Sequence, residues 1–183
     1  MKRALLILSE GFEELEAVAP LDLLRRAGVE TVAASTGTGL TVAGGRGMRL
    51  QADRMLDDCL AETFDILILP GGPGTDQLRQ DTRVLDLVRR YYAAGTPIAA
   101  ICAAPVLLAD AGVAAGHVIT SFPAREGELR PQVKSYLQDR VVVDGKVITS
   151  RGAGTAEEFA LALIAYLLGS AAAETVRAQI VAR

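Results

Sequence analysis

The chain has 183 residues, half of them hydrophobic, and carries a formal net charge of −3. Its length suits a single domain, 1–183, and its apolar content excludes a disordered chain. Basic residues are interspersed with acidic ones, which argues against specific nucleic-acid binding, and no apolar stretch is long enough to cross a membrane. The two cysteines come without a secretory signal, so we expect free thiols and a cytoplasmic protein.

Predicted strands and helices alternate through the first half of the chain. Hydrophobic periodicity and glycine or proline boundaries predict the following elements in order: a buried strand over 3–8, a helix over 13–28 that contains Pro20, a strand over 29–35, a hairpin over 39–53 and a strand over 64–70.

The second half continues this alternation. The predicted elements are a helix over 82–95, a strand over 97–101, a helix over 103–112, a strand over 117–122, a hairpin over 140–150 around Asp144-Gly145, and a helix over 155–169 with a Thr155/Glu158 capping box. Several strands are apolar throughout, as in strands covered on both faces. The pattern predicts an α/β fold with an open, doubly wound, mostly parallel sheet between helices, and ligands at the carboxyl ends of its strands.

The first strand-to-helix turn, "SEGFEELE", places three carboxylates at the start of a helix. Glu13 and Glu14 complement the positive end of the helix dipole, and Glu16 can do the same. Glu16 is also flanked by apolar Leu15 and Val18, so we consider a partly buried carboxyl with a raised pKa. Such a group stays protonated and can donate a hydrogen bond to a thiolate or an oxyanion.

The second turn, "LPGGPGTDQL", follows a buried strand directly. Gly71 and Gly72 free the backbone to present N–H groups, as an oxyanion hole requires, or they form a tight turn and nothing more. The segment lacks the Lys-Ser/Thr ending of a phosphate-binding loop and does not match the dinucleotide fingerprint.

The third turn, "PIAAICAAPVLLA", places Cys102 between a buried strand and a helix. A helix N-terminus lowers the pKa of a thiol, and the small Ala100, Ala103 and Ala104 allow close backbone packing. The alternative is a buried structural cysteine, which is common. Cys59 lies in a different predicted helix, where we expect it to pack or to be partly exposed.

Together, "KRALLILSEGFEELEAVAPLDLLRRAG", "LPGGPG", "AAICAAP" and "TSRGAGTAEEFALA" resemble the ThiJ/PfpI superfamily, within it the branch of the parkinsonism-associated protein deglycase and its bacterial YajL-type relatives. The resemblance covers nearly the whole chain and implies a flavodoxin-like α/β sandwich, usually homodimeric. It implies that Cys102 is the nucleophile and Glu16 its protonated partner. It further implies backbone donors at Gly71, Gly72 and Ala103.

Four further positions bear on the pocket. The resemblance matches Arg46 to an arginine that relatives contribute across a dimer interface, and we expect Phe122 and Arg151 at the pocket or the interface. Phe122 stands where many members have a histidine, which argues against a Cys–His triad. We expect His117, the only histidine, to be a surface or edge residue rather than a base.

The resemblance implies two activities that need neither cofactor nor metal: glutathione-independent glyoxalase action on methylglyoxal, and repair of early glycation adducts on protein or nucleotide. The alternative is a redox sensor or redox-dependent chaperone that works through oxidation of Cys102. A third class, a nucleotide- or flavin-binding module, lacks a phosphate-binding loop. A homodimer could use Leu21, Leu24 and the Arg25-Arg26 pair.

Overall fold

The computed structural model describes residues 1–182. Its strands are β1 (Arg3–Leu8), β2 (Glu30–Ser35), β3 (Thr41–Ala43), β4 (Arg49–Gln51), β5 (Arg54–Met55), β6 (Ile66–Leu69), β7 (Ile98–Ile101), β8 (Val118–Ile119), β9 (Ser135–Tyr136), β10 (Val141–Asp144) and β11 (Val147–Ser150). Its α-helices are α1 (Glu14–Arg26), α2 (Leu56–Cys59), α3 (Thr75–Leu78), α4 (Thr82–Ala93), α5 (Pro105–Asp110), α6 (Glu126–Leu129), α7 (Ala156–Leu168) and α8 (Ser170–Gln179). Short 3₁₀ turns cover Pro123–Arg125, Arg130–Gln132 and Ala153–Thr155.

Seven strands form one sheet in the order β10-β11-β7-β6-β1-β2-β5. Neighbouring strands are parallel except β10 and β11, which form the antiparallel hairpin predicted around Gly145. The predicted doubly wound α/β fold is confirmed. Because β2 and β6 lie on opposite sides of β1, the winding direction reverses there. In such sheets the crevice at the carboxyl ends of the two strands beside the reversal binds ligands.

Alternate residues of the central strands face two separate cores. On one face, Leu5 and Ile7 pack with α4 and α5, and on the other Leu6 packs with Leu24 of α1 and Phe159 of α7. These side chains are almost completely buried. Burial of each stabilises the fold by about 1.5–3 kcal/mol, which explains why the strands read as continuous apolar runs. Within the described residues no helix is long and apolar enough to span a membrane.

Three local predictions differ from the structure. The predicted strand over 117–122 is reduced to β8, which pairs with β9 in a separate two-stranded sheet. The capping box at Thr155 is absent, because the Thr155 hydroxyl bonds Ser150 and Gly152 while Glu158 pairs with Arg140. Helix α8 was not predicted, although Gly169 before an alanine-rich, glycine-free segment is a signal for it.

His117 lies directly before β8 of the small two-stranded sheet, as an edge residue, and it belongs to a hydrogen-bonded chain that covers most of its side chain. Its side chain is 13% exposed, with Nε2 3.0 Å from the Tyr92 hydroxyl and Nδ1 3.1 Å from Asp144 Oδ2. The same Asp144 oxygen accepts the Val118 N–H at 2.8 Å. Asp144 thereby joins α4, β8 and the β10–β11 turn.

We predict that Asp144→Ala lowers the free energy of unfolding by about 1 kcal/mol at pH 7, because it removes the hydrogen bonds to Val118 and His117. The effect is modest because the carboxylate side chain is a third exposed. The Val118 N–H and then His117 lower the pKa of Asp144 in the folded protein. A lowered folded pKa stabilises the fold above the unfolded value of about 4, and this contribution is lost as pH falls. Urea unfolding at neutral and acid pH should show the difference shrinking in acid.

Asp86→Ala is the matched control, because its ion pair with Arg89 is exposed and joins residues of one helix. We expect it to change stability by under about 0.5 kcal/mol. An Asp144→Ala effect no larger than this would show that the hydrogen-bonded chain does not stabilise the fold.

Candidate active site

Cys102 occupies the turn between β7 and α5 in a strained backbone conformation. Its φ of 64° lies in the left-handed region, which non-glycine residues rarely adopt. Backbone hydrogen bonds hold the turn in place: the Cys102 N–H donates to the Ser150 carbonyl at 2.9 Å, and its carbonyl accepts from the Phe122 N–H at 2.7 Å. Bonds to two other segments therefore fix the position of the thiol.

Glu16 is completely buried in the first turn of α1. The helix begins beside Glu13, whose carboxylate accepts the Glu16 N–H at 3.0 Å and caps the helix. The Glu16 Oε2 atom accepts the Gly71 N–H at 2.9 Å. The burial was predicted for a wrong reason, because Leu15 and Val18 are 59% and 46% exposed.

The glycines after β6 allow the close approach of these segments. A Cβ on Gly71 would lie 2.8 Å from the Ala103 nitrogen, and Gly72 has a φ of 117°. The Gly71 N–H is occupied by Glu16, so its predicted role as a donor to a substrate oxygen is wrong. Among the described residues the Gly72 N–H has no hydrogen-bond partner, and the Ala103 N–H contacts the Cys102 sulfur.

Glu16 and Cys102 interact directly and form a coupled pair. Burial raises the pKa of Glu16 to about 7, while the contacts with Cys102 and Gly71 oppose the rise. Burial and an ionised Glu16 raise the pKa of the Cys102 thiol, and the Ala103 N–H lowers it. With Glu16 ionised, the pKa of the thiol is raised, so the lowering of this pKa predicted from the helix N-terminus is wrong. The two groups hold one proton between them.

Hydrogen bonding decides where that proton lies. The Glu16 Oε1 atom is buried and has no hydrogen-bonding nitrogen or oxygen among the described residues. A proton on Oε1 would lie between the carboxyl group and the Cys102 sulfur, which also receives the Ala103 N–H. An ionised Oε1 would be a buried charge that faces only the weak S–H donor of Cys102 among the described residues, which is costly. On this basis we predict a thiolate beside a carboxylic acid.

A pocket of about 590 Å³ opens over the sulfur. It is lined by Glu13, Glu16, Arg46, Gly72, Pro73, Asp76, Cys102, Ala103, Phe122, Ala124, Arg125 and Ala153. This volume suits a small molecule. The described residues contain no cluster of His, Cys, Asp and Glu that could hold a metal.

The structure separates the three residues expected at the pocket or an interface. Arg46 lines the pocket of its own chain, and Phe122 lines it while 47% exposed. Arg151 lies outside the pocket lining; its backbone N–H bonds the Arg140 carbonyl, and its Nη1 atom is buried without a partner among the described residues.

Glu14 is a residue whose position sequence reasoning missed. It is 5% exposed, and its Oε1 atom accepts the Arg46 N–H at 2.6 Å. The bond fixes the β3–β4 turn that carries Arg46, beside glycines that leave room for the carboxylate: a Cβ on Gly44 would lie 2.5 Å from the same oxygen. The sequence signal for this contact was a carboxylate in the first turn of a helix together with a glycine-rich turn.

Cys59 is fully buried, which agrees with the first of its two expected placements, packing rather than partial exposure.

Comparison with known proteins gives the family. Residues 2–166 match the model of the DJ-1/PfpI family. The chain belongs to the DJ-1/PfpI family.

Relatives in this family resemble the chain over nearly its whole length. Protein dj-1beta of Drosophila melanogaster is 42% identical over 170 residues, 92% of this chain and 90% of that protein. The crystal structure of Drosophila DJ-1beta superposes with a TM-score of 0.96 at 40% identity, over 100% of this chain and 98% of that one. Glutathione-independent glyoxalase DJR-1.2 of Caenorhabditis elegans is 37% identical over 169 residues, 92% of this chain and 90% of that protein. Oxidized Toxoplasma gondii DJ-1 superposes with a TM-score of 0.94 at 32% identity, over 100% of this chain and 99% of that one.

For this DJ-1/PfpI chain we predict that Glu16→Leu raises the pH at which the Cys102 thiolate forms. The substitution removes the O–H donor to the sulfur and leaves a buried thiol, whose charged form is disfavoured. Thiolate ultraviolet absorbance followed against pH measures the change.

Glu157→Gln, an exposed first-turn carboxylate of α7, is the control and should leave the Cys102 titration unchanged. If thiolate formation moved to lower pH in Glu16→Leu, the negative charge of Glu16 would outweigh its proton, and the assignment of the proton to Glu16 would fail.

Proposed function

We propose that the protein is a cysteine-dependent, glutathione-independent glyoxalase and deglycase that converts methylglyoxal and its early glycation adducts and releases lactate. One observation carries the proposal: a buried Glu16 carboxyl, with its pKa raised to about 7, contacts Cys102 beneath a small-molecule pocket. The name of the C. elegans relative, a glutathione-independent glyoxalase, supports the same chemistry.

The first step is addition of the Cys102 thiolate to the aldehyde carbon of methylglyoxal. The C–S bond forms, the carbonyl electron pair moves to oxygen, and Glu16 supplies the proton that makes a hemithioacetal hydroxyl. The unpartnered N–H of Gly72 stabilises the developing oxyanion, and the Ala103 N–H becomes available to it once the sulfur has lost its charge.

The second step is a proton transfer between adjacent carbons. Glu16, now a carboxylate, removes the proton from the sulfur-bearing carbon and returns one to the former ketone carbon through an enediol. The product is a thioester of lactate on Cys102. Water attacks the thioester carbonyl, the C–S bond breaks, and lactate leaves while the thiol is restored, with no cofactor required.

The same chemistry extends to glycation adducts. An aminocarbinol on an amine, or a hemithioacetal on a thiol, releases its dicarbonyl carbon to the Cys102 sulfur and regenerates the amine or thiol. The pocket is open enough for a side chain to enter, because Phe122 and Arg46 at its edge are exposed.

We also propose a cytoplasmic homodimer. The free thiols of Cys59 and Cys102 suit a reducing compartment. Leu15, Val18 and Met48 are large apolar side chains that are 46–65% exposed, as expected of an interface. Leu21 and Leu24, considered earlier for this face, are buried in the core and cannot line it.

We predict that Cys102→Ser reduces lactate formation from methylglyoxal to background, because the hydroxyl is a far weaker nucleophile than the thiolate. Glu16→Gln should lower kcat by about 10²–10⁴-fold, because it retains a hydrogen-bond donor but cannot move a proton. An enzymatic lactate assay measures both.

Cys59→Ala is the matched control, since it removes the buried thiol and leaves the pocket intact. It should retain activity once its folded fraction is confirmed. Full activity of Cys102→Ser would overturn the proposed function.

A second role, as an oxidation-sensitive protein or redox-dependent chaperone, is favoured by the difference between the two thiols. Cys102 is partly buried and lines the pocket, whereas Cys59 is fully buried. An accessible thiolate is the form that peroxide oxidises.

Mild peroxide should therefore add two oxygens at Cys102 and none at Cys59, as located by peptide mass spectrometry. Cys102→Ala should remove this gain. An unchanged mass in the unsubstituted protein would contradict the second role, and so would client-holding activity that does not depend on oxidation.

A further inference from the structure

The ion pair between Arg125 and Asp76 forms part of the pocket wall, and the proposed function assigns no role to it. Arg125 Nη2 donates to Asp76 Oδ1 at 2.6 Å, and Nη1 lies 3.4 Å from Glu128 Oε2. Arg125 and Asp76 both line the pocket that contains the Cys102 sulfur. The wall therefore presents a guanidinium group to the same space as the nucleophile.

A second set of ion pairs fixes this arginine relative to the thiol. Glu128 also pairs with Arg79 Nη2 at 2.6 Å, and Arg79 binds Asp110 through two hydrogen bonds of 2.6 and 2.9 Å. Asp110 ends α5, the helix that begins just after Cys102. Arg125 is thereby held against the segment that positions the nucleophile.

The two partners of Arg125 differ in exposure. The Asp76 side chain is 63% exposed, whereas those of Arg125 and Glu128 are 22% and 32% exposed. Ion pairs with exposed side chains contribute little, so the Asp76 carboxylate can be displaced at small cost. A carboxylate on a molecule in the pocket would take its place on the guanidinium, whose planar donors match that group.

The other charged groups of the pocket do not provide an equivalent site. Glu13 caps α1, and Glu16 shares its proton with Cys102. Arg46 is exposed on a turn between Gly45 and Gly47, with no ion pair among the described residues. Arg125 is the pre-positioned cation of this pocket.

We propose that Arg125 is a specificity-determining residue that directs Cys102 toward electrophiles carrying a carboxylate, with Asp76 as the internal competitor for the same guanidinium. This inference rests on the proposed function, because it names the substrate class of that site: α-oxoaldehydes and adducts whose far end is a carboxylate.

Two alkylating reagents of nearly equal size test the proposal, because iodoacetate is anionic and iodoacetamide is neutral. The rate of Cys102 alkylation by each is measured by mass spectrometry, and the iodoacetate rate is divided by the iodoacetamide rate. We expect Arg125→Gln to lower this ratio and Asp76→Asn to raise it, each by about three- to tenfold. Arg125→Lys should retain most of the ratio, because it keeps the charge.

Two further variants make the result specific. Arg89→Gln removes a cation that pairs with Asp86 outside the pocket and should leave the ratio unchanged. Arg46→Gln tests the other pocket arginine. The inference would be overturned if the iodoacetate-to-iodoacetamide rate ratio fell in Arg46→Gln and not in Arg125→Gln. It would also be overturned if the ratio moved in the same direction in Arg125→Gln and Asp76→Asn.

Alkylation requires no turnover, so this experiment is separable from the proposed function. A protein that makes lactate but shows no effect of Arg125 would overturn the inference alone. A ratio that follows Arg125 in a protein that makes no lactate would support a carboxylate-selective thiol and overturn the glyoxalase. A Cys102 that neither reagent alkylates would overturn both.

Discussion

The buried contact between Glu16 and Cys102 holds one proton for two acidic groups, and the rest of the site is arranged around that constraint. Burial alone disfavours two negative charges at this place. The Gly71 N–H occupies one carboxyl oxygen and leaves the other for the proton. The Ala103 N–H then adds to the donors on the sulfur. The Gly71 and Ala103 donors are backbone groups of tight turns, so backbone geometry sets the polar surroundings of both acidic groups.

The sheet topology explains why these turns meet. Glu16 follows β1, Gly71 follows β6 and Cys102 follows β7, and these three strands are successive neighbours in the parallel sheet. Their carboxyl ends therefore lie at one edge, beside the point at which the winding direction reverses. The left-handed conformation of Cys102 is sustained there by bonds to Ser150 and Phe122, which come from two other segments. Strain at Cys102 is thus supported by the core rather than by its own short helix.

Periodicity was sufficient to predict the parallel sheet and the longer helices, because continuous apolar strands require cover on both faces. It was insufficient for features that depend on partners distant in sequence. Glu16 is buried by the turns of β6 and β11, not by its helical neighbours, which are exposed. Thr155 does not cap α7, because Ser150 and Gly152 engage its hydroxyl. The side chain of His117 is largely covered by Tyr92 and Asp144, neither of which is near it in the chain.

With Phe122 in this pocket, the proposed reaction requires one carboxyl to serve two roles. Among the described residues that line it there is no histidine, and Glu16 is the carboxyl with a pKa raised to about 7. Glu16 must first hold a proton to sustain the thiolate and then release it to the substrate oxygen. These demands do not conflict, because the sulfur loses its negative charge when the C–S bond forms. Repulsion between thiolate and carboxylate is thereby removed in the step that ionises Glu16, which leaves the carboxylate ready to act as the base.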